Sequence, residues 1–142
     1  MTDSVTDIRF GGIKRLYGHQ QFAWLQDAHF CVIGIGGVGS WAAEALARTG
    51  VGKLTLIDLD DICATNVNRQ IHALTGTVGE AKVDAMKARC QLINPECDID
   101  VIDDFITVDN IREHIKDFDY VIDCIDAVKE KAALIAHCKR NK

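Results

Sequence analysis

Short apolar runs alternate along this chain with longer segments in which apolar residues recur at helical spacing. Four of these runs predict β-strands, over residues 30–35, 53–58, 98–103 and 119–125. The continuous apolar run at residues 30–35 is typical of a parallel strand that is buried on both faces of a sheet.

The segments between the runs favour helices. Residues 40–49 are rich in alanine and end at Gly50, and a longer helix is expected to begin near Gly79. The apolar positions that mark the later helices are Val83, Met86, Cys90 and Ile93, then Ile111 and Ile115, then Val128, Ala132 and Ile135. Strands alternating with helices predict an α/β fold with a Rossmann-like, doubly wound, mainly parallel sheet. The chain ends on a helix with no strand after it, so we expect a domain truncated after the fourth strand and its helix.

The N-terminal part differs from this alternating pattern. Residues 1–29 predict a helical segment with Ile13, Leu16 and Tyr17 on one helical face. This is more apolar surface than a solvated leader needs, so the segment should be covered by packing. It packs either across a two-fold dimer contact or on its own subunit, while residues 30–142 form the α/β domain.

Composition narrows the functional classes. The 142 residues are 48% hydrophobic and 26% charged, which excludes a disordered chain. The net charge of -5 disfavours a nonspecific nucleic-acid binder. Residues 129–142 nevertheless carry five bases and one acid, which is either a solvated helix end or a patch for a polyanion. The sequence predicts no membrane helix and no signal peptide, and its six cysteines include no Cys-x-x-Cys pair, so we expect reduced thiols and a cytoplasmic location.

A glycine-rich turn follows the first predicted strand. In this spacing Gly34 permits a tight turn, Gly36 lets a phosphate approach the backbone, and Gly39 lets the next helix pack closely on the strand. The N-terminus of that helix favours an anion. Asp58 follows at the end of the second predicted strand, where a carboxylate accepts hydrogen bonds from ribose hydroxyls. The pattern predicts a nucleotide site, and a tight turn without a ligand is the alternative.

Charged residues after the second strand bear on which nucleotide binds. The glycine motif alone would suggest an NAD-dependent dehydrogenase. However, Asp58, Asp60 and Asp61 are followed by Arg69 and Lys82, 13 positions apart. A carboxylate can attack the α-phosphorus of a triphosphate only when the charge on the phosphate oxygens is neutralised, by such cations and by Mg²⁺. This interpretation favours ATP with Mg²⁺, whereas the alternative treats Arg69 and Lys82 as surface charges.

Together these motifs resemble those of the adenylating enzymes related to ubiquitin-activating enzyme. That family includes the activators of the molybdopterin and thiamine sulfur carriers. The resemblance is carried by Gly34-x-Gly-Gly-x-Gly39, Asp58-x-Asp60, Asn66-x-x-Arg69-Gln70, Lys82 and Asp123-Cys-Ile-Asp126. Residues 9–18, 66–74 and 132–136 are most similar to the family members that use ATP to cyclise the threonylcarbamoyl group on an adenosine of tRNA.

The resemblance implies an ATP-binding adenylation domain over residues 30–142. Arg69, Lys82 and Asp126 would be the catalytic residues, and Asp126 would also hold Mg²⁺ beside the reacting carboxylate; its alternative role is to cap the helix that follows. Of the two acids near the ribose, Asp60 is the stronger candidate, while Gln70 is expected to be structural. The positions implied to bind ATP are Gly34, Gly36, Gly37, Gly39, Asp58, Asp60, Asn66, Arg69 and Lys82.

The chain departs from the family pattern in two places. The sulfur-carrier activators begin with an Arg-aromatic-x-Arg-Gln motif whose second arginine reaches ATP across a dimer. Gly12 stands at that place here, so Arg15 is the candidate to bind ATP in its stead. The paired Cys-x-x-Cys zinc motifs and the transfer cysteine of those activators are absent from these 142 residues.

The activity that the resemblance implies is ATP-dependent adenylation of a carboxylate. The implied partners are a tRNA carrying threonylcarbamoyladenosine, a second copy of the chain in a homodimer, and a cysteine desulfurase system. Three alternatives stay open. The chain could adenylate the C-terminal glycine of a ubiquitin-like sulfur carrier, act as an NAD-dependent dehydrogenase, or bind a nucleotide without catalysis.

Overall fold

The structure, a computed structural model, describes residues 4–141. Residues 1–3 of the predicted N-terminal segment and Lys142 of the basic C-terminal stretch lie outside this range. The helices and strands are, in chain order, α1 Val5–Tyr17, α2 His19–Asp27, β1 His29–Ile33, α3 Gly39–Thr49, β2 Lys53–Ile57, a short 3₁₀ helix Ala64–Asn68, α4 Lys82–Ile93, β3 Asp98–Ile102, α5 Ile111–His114, β4 Tyr120–Asp123 and α6 Val128–Arg140.

The four strands form one parallel sheet in the order β3-β2-β1-β4. Phe30 of β1 lies opposite Leu54 of β2 on one side and Tyr120 of β4 on the other. Along the chain, β2 and then β3 are therefore added on one side of β1, and β4 is added on its other side. This order confirms the predicted doubly wound α/β fold and creates a crevice between the carboxyl ends of β1 and β4.

Helices cover both faces of the sheet because alternate strand residues point to opposite sides. Phe30, Val32, Leu54 and Leu56 pack on α3 and α4. On the other face, a cluster with α5 and α6 contains Cys31, Ile33, Ile57, Ile111, Ile115 and Leu134. The central strands β1 and β2 are buried on both sides from their second residue onward, whereas the edge strands β3 and β4 are only partly buried.

Two helices differ in detail from the sequence expectation. The helix α4 begins at Lys82 rather than near Gly79, because residues 79–81 pair with residues 61–62 through an antiparallel bridge and two backbone hydrogen bonds. In α6 the buried residue is Leu134, whereas Val128 and Ile135 are 81% and 57% exposed. At about 100° per residue, Val128 and Ile135 share a side of the helix that faces away from Leu134.

The N-terminal helices pack on their own subunit through a small set of residues. Phe10 and Phe22 are buried, and a Cβ at Gly50 would lie 2.9 Å from Phe10 Cγ and 3.0 Å from Phe22 Cε2. Arg9 Nη1 donates to the carbonyl oxygen of Ile93 at 3.0 Å. Leu16 and Tyr17 of the predicted apolar face are exposed in this subunit, so their own subunit does not cover them.

Every helix within residues 4–141 is too short or too polar to span a bilayer.

The packing of Phe10 predicts how far the N-terminal segment stabilises its own subunit. Phe10→Ala should lower the free energy of unfolding by about 3–5 kcal/mol, because it leaves a cavity against Gly50. Ile8→Ala on the same helix is the control and should change it by less than about 0.5 kcal/mol, because Ile8 is 72% exposed. Urea unfolding measures both values. Equal, small losses would mean that α1 does not pack on this subunit in solution.

Candidate functional site

A cavity of about 620 Å³ opens at the carboxyl ends of the strands, at the crevice between β1 and β4. It brings together residues that are far apart in sequence, from the turn after β1, the end of β2, the start of α4 and the turn after β4. The sequence-predicted site residues that line it are Gly34, Gly36, Gly37, Asp58, Asp60, Arg69, Lys82 and Asp126.

The turn between β1 and α3 has no room for side chains at two positions. Gly34 has a φ of 87°, and a Cβ there would lie 2.8 Å from the carbonyl oxygen of Cys124. A Cβ on Gly39, the first residue of α3, would overlap the carbonyl oxygen of Gly34. Gly39 is buried and does not line the cavity, so its contribution is the close approach of the helix to the strand. Gly36, Gly37 and Val38 lie at the cavity, beside the N-terminus of α3, where unpaired N–H groups favour an anion.

The peptide groups of Ile35, inside this turn, are held from both sides. Asp58 Oδ2 accepts the Ile35 N–H at 2.7 Å, and Asp58 Oδ1 accepts the Asp60 N–H at 2.8 Å. On the other side His72 Nε2 lies 2.7 Å from the Ile35 carbonyl oxygen, so Nε2 must donate the proton. Both carboxylate oxygens of Asp58 therefore order the backbone around the site.

Arg69 reaches the cavity from a segment that is anchored on α3. Trp41 Nε1 donates to the Arg69 carbonyl oxygen at 2.9 Å, and the Ile71 N–H donates to Ser40 Oγ at 3.3 Å. Within residues 4–141 the Arg69 guanidinium hydrogen-bonds only to uncharged oxygens, Asn68 Oδ1 at 2.9 Å and the Thr65 carbonyl at 3.2 Å. Its aliphatic part lies beside Gly37. The guanidinium is thus placed at the glycine turn without a carboxylate to neutralise it.

Lys82 is the first residue of α4 and is only 7% exposed, which is unusual for a lysine. Its Nζ lies 3.8 Å from Asp60 Oδ2, and its backbone N–H donates to the Asp60 carbonyl oxygen at 3.0 Å. The Asp60 side chain is itself exposed at the cavity. Lys82 and Asp60 are therefore held together by the backbone as well as by charge.

The β4 side of the cavity carries acids and a third cation. Asp123 Oδ1 accepts the Ile125 N–H at 3.2 Å within the turn after β4, and Asp123 Oδ2 lies 2.9 Å from Lys131 Nζ. Asp126 is exposed at the cavity. The N-cap of α6 is Ala127 and no side chain caps this helix, so Asp126 is not used as a cap.

Two predicted residues lie elsewhere. Asn66 is buried in the 3₁₀ helix, where its Oδ1 accepts the Cys63 N–H at 2.9 Å, and it does not line the cavity. Arg15 lies near the end of α1, exposed and outside the cavity of its own subunit. Gln70 lines the cavity and is buried, with Oε1 unpaired among residues 4–141.

Three polar residues were not predicted from the sequence: Asp104 and Lys131, which line the cavity, and His72, which contacts the glycine turn behind it. Asp104 lines the cavity and accepts a hydrogen bond from His114 Nε2 at 2.9 Å; this bond lowers the pKa of the Asp104 carboxyl. Its position just after β3 is a usable signal, because carboxyl ends of parallel strands share one edge. Lys131 and His72 gave no such signal, since nothing in their spacing relates them to the glycine turn.

His72 predicts a pH dependence of stability. Burial lowers the pKa of this imidazole, which has no partner for Nδ1 among residues 4–141. His72 therefore binds a proton more readily in the unfolded chain than in the folded one. Its contribution to the free energy of unfolding is fully present above a pH of about 6.5 and is lost as the pH drops below that value. His72→Gln should reduce this slope by up to about 1.4 kcal/mol per pH unit. Burial also lowers the pKa of His29, so part of the slope should remain.

Urea unfolding between pH 5 and 8 measures that slope. His19→Gln is the control, because His19 is exposed and its replacement should leave the slope unchanged. Equal slopes for the unchanged chain and His72→Gln would contradict the prediction.

Comparison with known proteins agrees with this geometry. A family model described as the ThiF family matches residues 12–142. The chain is 61% identical over 135 residues to tRNA threonylcarbamoyladenosine dehydratase of Escherichia coli, covering 94% of this chain and 50% of that protein. It is 33% identical over 118 residues to molybdopterin-synthase adenylyltransferase of Haemophilus influenzae, covering 83% of this chain and 49% of that protein.

A solved structure shares the fold of the whole chain. The E. coli tRNA N6-threonylcarbamoyladenosine dehydratase in complex with ATP superposes with a TM-score of 0.94 at 57% identity, covering 99% of this chain and 58% of that one. The chain thus spans about half the length of the curated relatives it matches. With the match over residues 12–142, the glycine turn and the cations at one cavity, the chain belongs to the ThiF family.

Proposed function

We propose that this site binds ATP with Mg²⁺ and activates a carboxylate by adenylation, and that the carboxylate is that of threonylcarbamoyladenosine in tRNA. The observation that carries the proposal is that Arg69, Lys82 and Asp126 line one cavity with the glycine turn. The substrate is taken from the relative at 61% identity, which is named a tRNA threonylcarbamoyladenosine dehydratase, and ATP from the solved complex.

The proposed reaction has two steps. A carboxylate oxygen attacks the α-phosphorus. The bond between the α-phosphorus and the oxygen that bridges it to the β-phosphorus breaks, and pyrophosphate leaves. A nitrogen of the same threonylcarbamoyl group then attacks the activated carbonyl carbon and loses its proton to water, and AMP leaves with the carboxylate oxygen. The sum is loss of water from the substrate, driven by cleavage of ATP.

The residues of the cavity suit the first step. Negative charge on the triphosphate shields the α-phosphorus, and Arg69 and Lys82 supply fixed positive charge where it builds up on the leaving pyrophosphate. Asp60 is the ribose candidate, because both oxygens of Asp58 already accept backbone N–H groups. Asn66 has its Oδ1 engaged, so only its amide N–H groups would remain for the phosphate tail.

The cavity also suits a divalent cation bound together with the nucleotide. Five carboxylates and three cations line it, a net charge of -2 that would repel a bare triphosphate. No three His, Cys, Asp or Glu residues within the described range are grouped to hold a metal alone. Mg²⁺ is commonly held by one or two carboxylates together with phosphates and water, and Asp126 would be that carboxylate. The bound ion would add positive charge at the phosphates.

A second candidate acts on a protein rather than on tRNA. The 33% identity to a molybdopterin-synthase adenylyltransferase favours adenylation of the C-terminal glycine of a ubiquitin-like sulfur carrier. Both candidates use the same first step, so the exchange of pyrophosphate into ATP with each substrate separates them. Exchange that needs tRNA carrying threonylcarbamoyladenosine supports the first candidate, and exchange that needs the carrier supports the second.

The roles of Arg69 and Lys82 predict a separation of rate from binding. Arg69→Ala and Lys82→Ala should each lower the adenylation rate by roughly 10²–10³-fold, with a smaller loss of ATP affinity, because their charge matters most in the transition state. Arg112→Ala is the control and should leave both unchanged, because Arg112 does not line this cavity. Pyrophosphate exchange and calorimetry are the measurements. Unchanged exchange in either variant, or calorimetry in which NAD binds and ATP does not, would contradict the proposal.

We further propose a homodimer in which residues 1–29 form part of the contact and Arg15 approaches the partner's ATP. The open apolar residues Ile8, Leu16 and Tyr17 of α1 support a contact, and the distance of Arg15 from its own cavity supports an action across it. We also propose a cysteine desulfurase partner, which rests on the family resemblance, and a cytoplasmic location, which rests on the cysteine pattern and the N-terminal sequence.

Mixed dimers test the action of Arg15. Arg15→Ala and Lys82→Ala subunits should each be inactive alone, and mixing them should recover one intact site per mixed dimer. Mixing Lys82→Ala with Arg69→Ala subunits is the control. It should recover no activity, because both residues belong to the same cavity of one subunit and each site of the mixed dimer lacks one of them. If Arg15 reaches only the site of its own subunit, the mixture of Arg15→Ala and Lys82→Ala subunits recovers no activity, which would refute the assignment. Full activity of Arg15→Ala alone would also refute the assignment.

A further inference from the structure

The cavity holds a third cation that stands apart from the other two. Lys131 projects from α6 on the β4 side, with its Nζ 2.9 Å from Asp123 Oδ2. Arg69 and Lys82 reach the cavity from the opposite side, with the end of β2 and the segment after it. Among residues 4–141, the one ion pair of Lys131 is with Asp123, whereas Lys82 pairs with Asp60. The position of Lys131 therefore calls for a role other than binding the same phosphates.

The topology separates the two halves of the cavity. In a doubly wound sheet a ligand lies across the crevice where the strand order reverses, here between β1 and β4. The proposed ribose ligand Asp60 and the buried Lys82 stand together at the end of β2. A nucleotide held by them and by the glycine turn occupies the β1 and β2 side. The β4 side, with Lys131 and Asp126, is left for the second reactant.

The second reactant is an anion, and the β4 wall would repel it without Lys131. Asp123 and Asp126 both line that wall and are acidic. Lys131 offsets one of these charges and keeps hydrogen-bond donors beyond the one directed at Asp123, because an ammonium group has three. The contact with Asp123 also limits the freedom of a long side chain. Lys131 is thus a cation held in place by Asp123, on the same wall of the cavity as Asp126.

We propose that Lys131 binds the carboxylate of the acyl substrate and orients it for attack on the α-phosphorus. This inference rests on the proposed adenylation and deepens it, since it assigns the β4 side of the cavity to the carboxylate substrate. The bond is a charge-assisted N–H to carboxylate contact, which is short and strong compared with a neutral hydrogen bond. Lys131 neither forms nor breaks a covalent bond in this role.

The test separates carboxylate binding from ATP binding in the purified chain. Lys131→Met keeps the length of the side chain and removes the charge. It should raise KM for tRNA carrying threonylcarbamoyladenosine by roughly 10–100-fold in pyrophosphate exchange, the loss expected for one charged hydrogen bond. The dissociation constant of ATP, measured by calorimetry without tRNA, should change by less than about twofold. Lys131→Arg keeps the positive charge, so its KM should lie close to that of the unchanged chain.

A matched control lies two residues away. Lys129→Met removes a charge from the exposed part of the same helix, outside the cavity, and should leave KM unchanged. If Lys129→Met raises KM as much as Lys131→Met, general attraction of tRNA explains the effect and the inference is overturned.

The remaining outcomes also decide the matter. A Lys131→Met chain that melts earlier but keeps its KM means that Lys131 only anchors α6 to Asp123. A weaker affinity for ATP equal to the rise in KM means that Lys131 belongs to the phosphate site. Either result overturns the inference in a chain whose own exchange supports the proposed function. A parent chain without any exchange overturns the proposed function itself, and with it the role of Lys131.

Discussion

The closeness of α3 to β1 is the constraint on which the site depends. Gly39 starts α3 directly against the Gly34 carbonyl oxygen, and Gly34 lies with a φ of 87° against the backbone of Cys124. Side chains at these positions would push the helix away from the strand or the turn away from the end of β4. Because the backbone alone fills this space, residues 36–38 are presented to the cavity beside the start of a helix.

Hydrogen bonds between side chains and this turn fix the charged residues relative to it. The Ile35 peptide groups join the turn to the end of β2 through Asp58 and to the segment after Arg69 through His72. Trp41 holds the Arg69 carbonyl from α3. The position of the Arg69 backbone therefore depends on the side chains of Trp41 and His72, and a change at either would act on Arg69 without touching a ligand.

The charges of the cavity are arranged in an acidic chain of net charge -5. Lys82 and Lys131 each have a carboxylate partner, Asp60 and Asp123, whereas in the described part of the chain the guanidinium of Arg69 hydrogen-bonds only to neutral oxygens. A paired cation keeps its position before a ligand arrives, and an unpaired one offers more of its charge to it. The two acids are in turn positioned by the backbone, Asp60 at the start of α4 and Asp123 at its own turn.

The hydrophobic pattern by itself determined the strands, their order along the chain and the alternation with helices, because buried runs and the glycine turn are local signals. Spacing and residue type also pointed to Gly34, Gly36, Asp58, Asp60, Arg69 and Lys82, and the family resemblance added Asp126; all of these line the cavity. Tertiary structure alone decided that Asn66 turns into its own 3₁₀ helix, that Leu134 rather than Val128 or Ile135 faces the sheet, and that Lys131 and His72 reach the site. These positions follow from where α6 and the segment after Arg69 pack, and packing between elements distant in the chain leaves no periodic trace in the residues themselves.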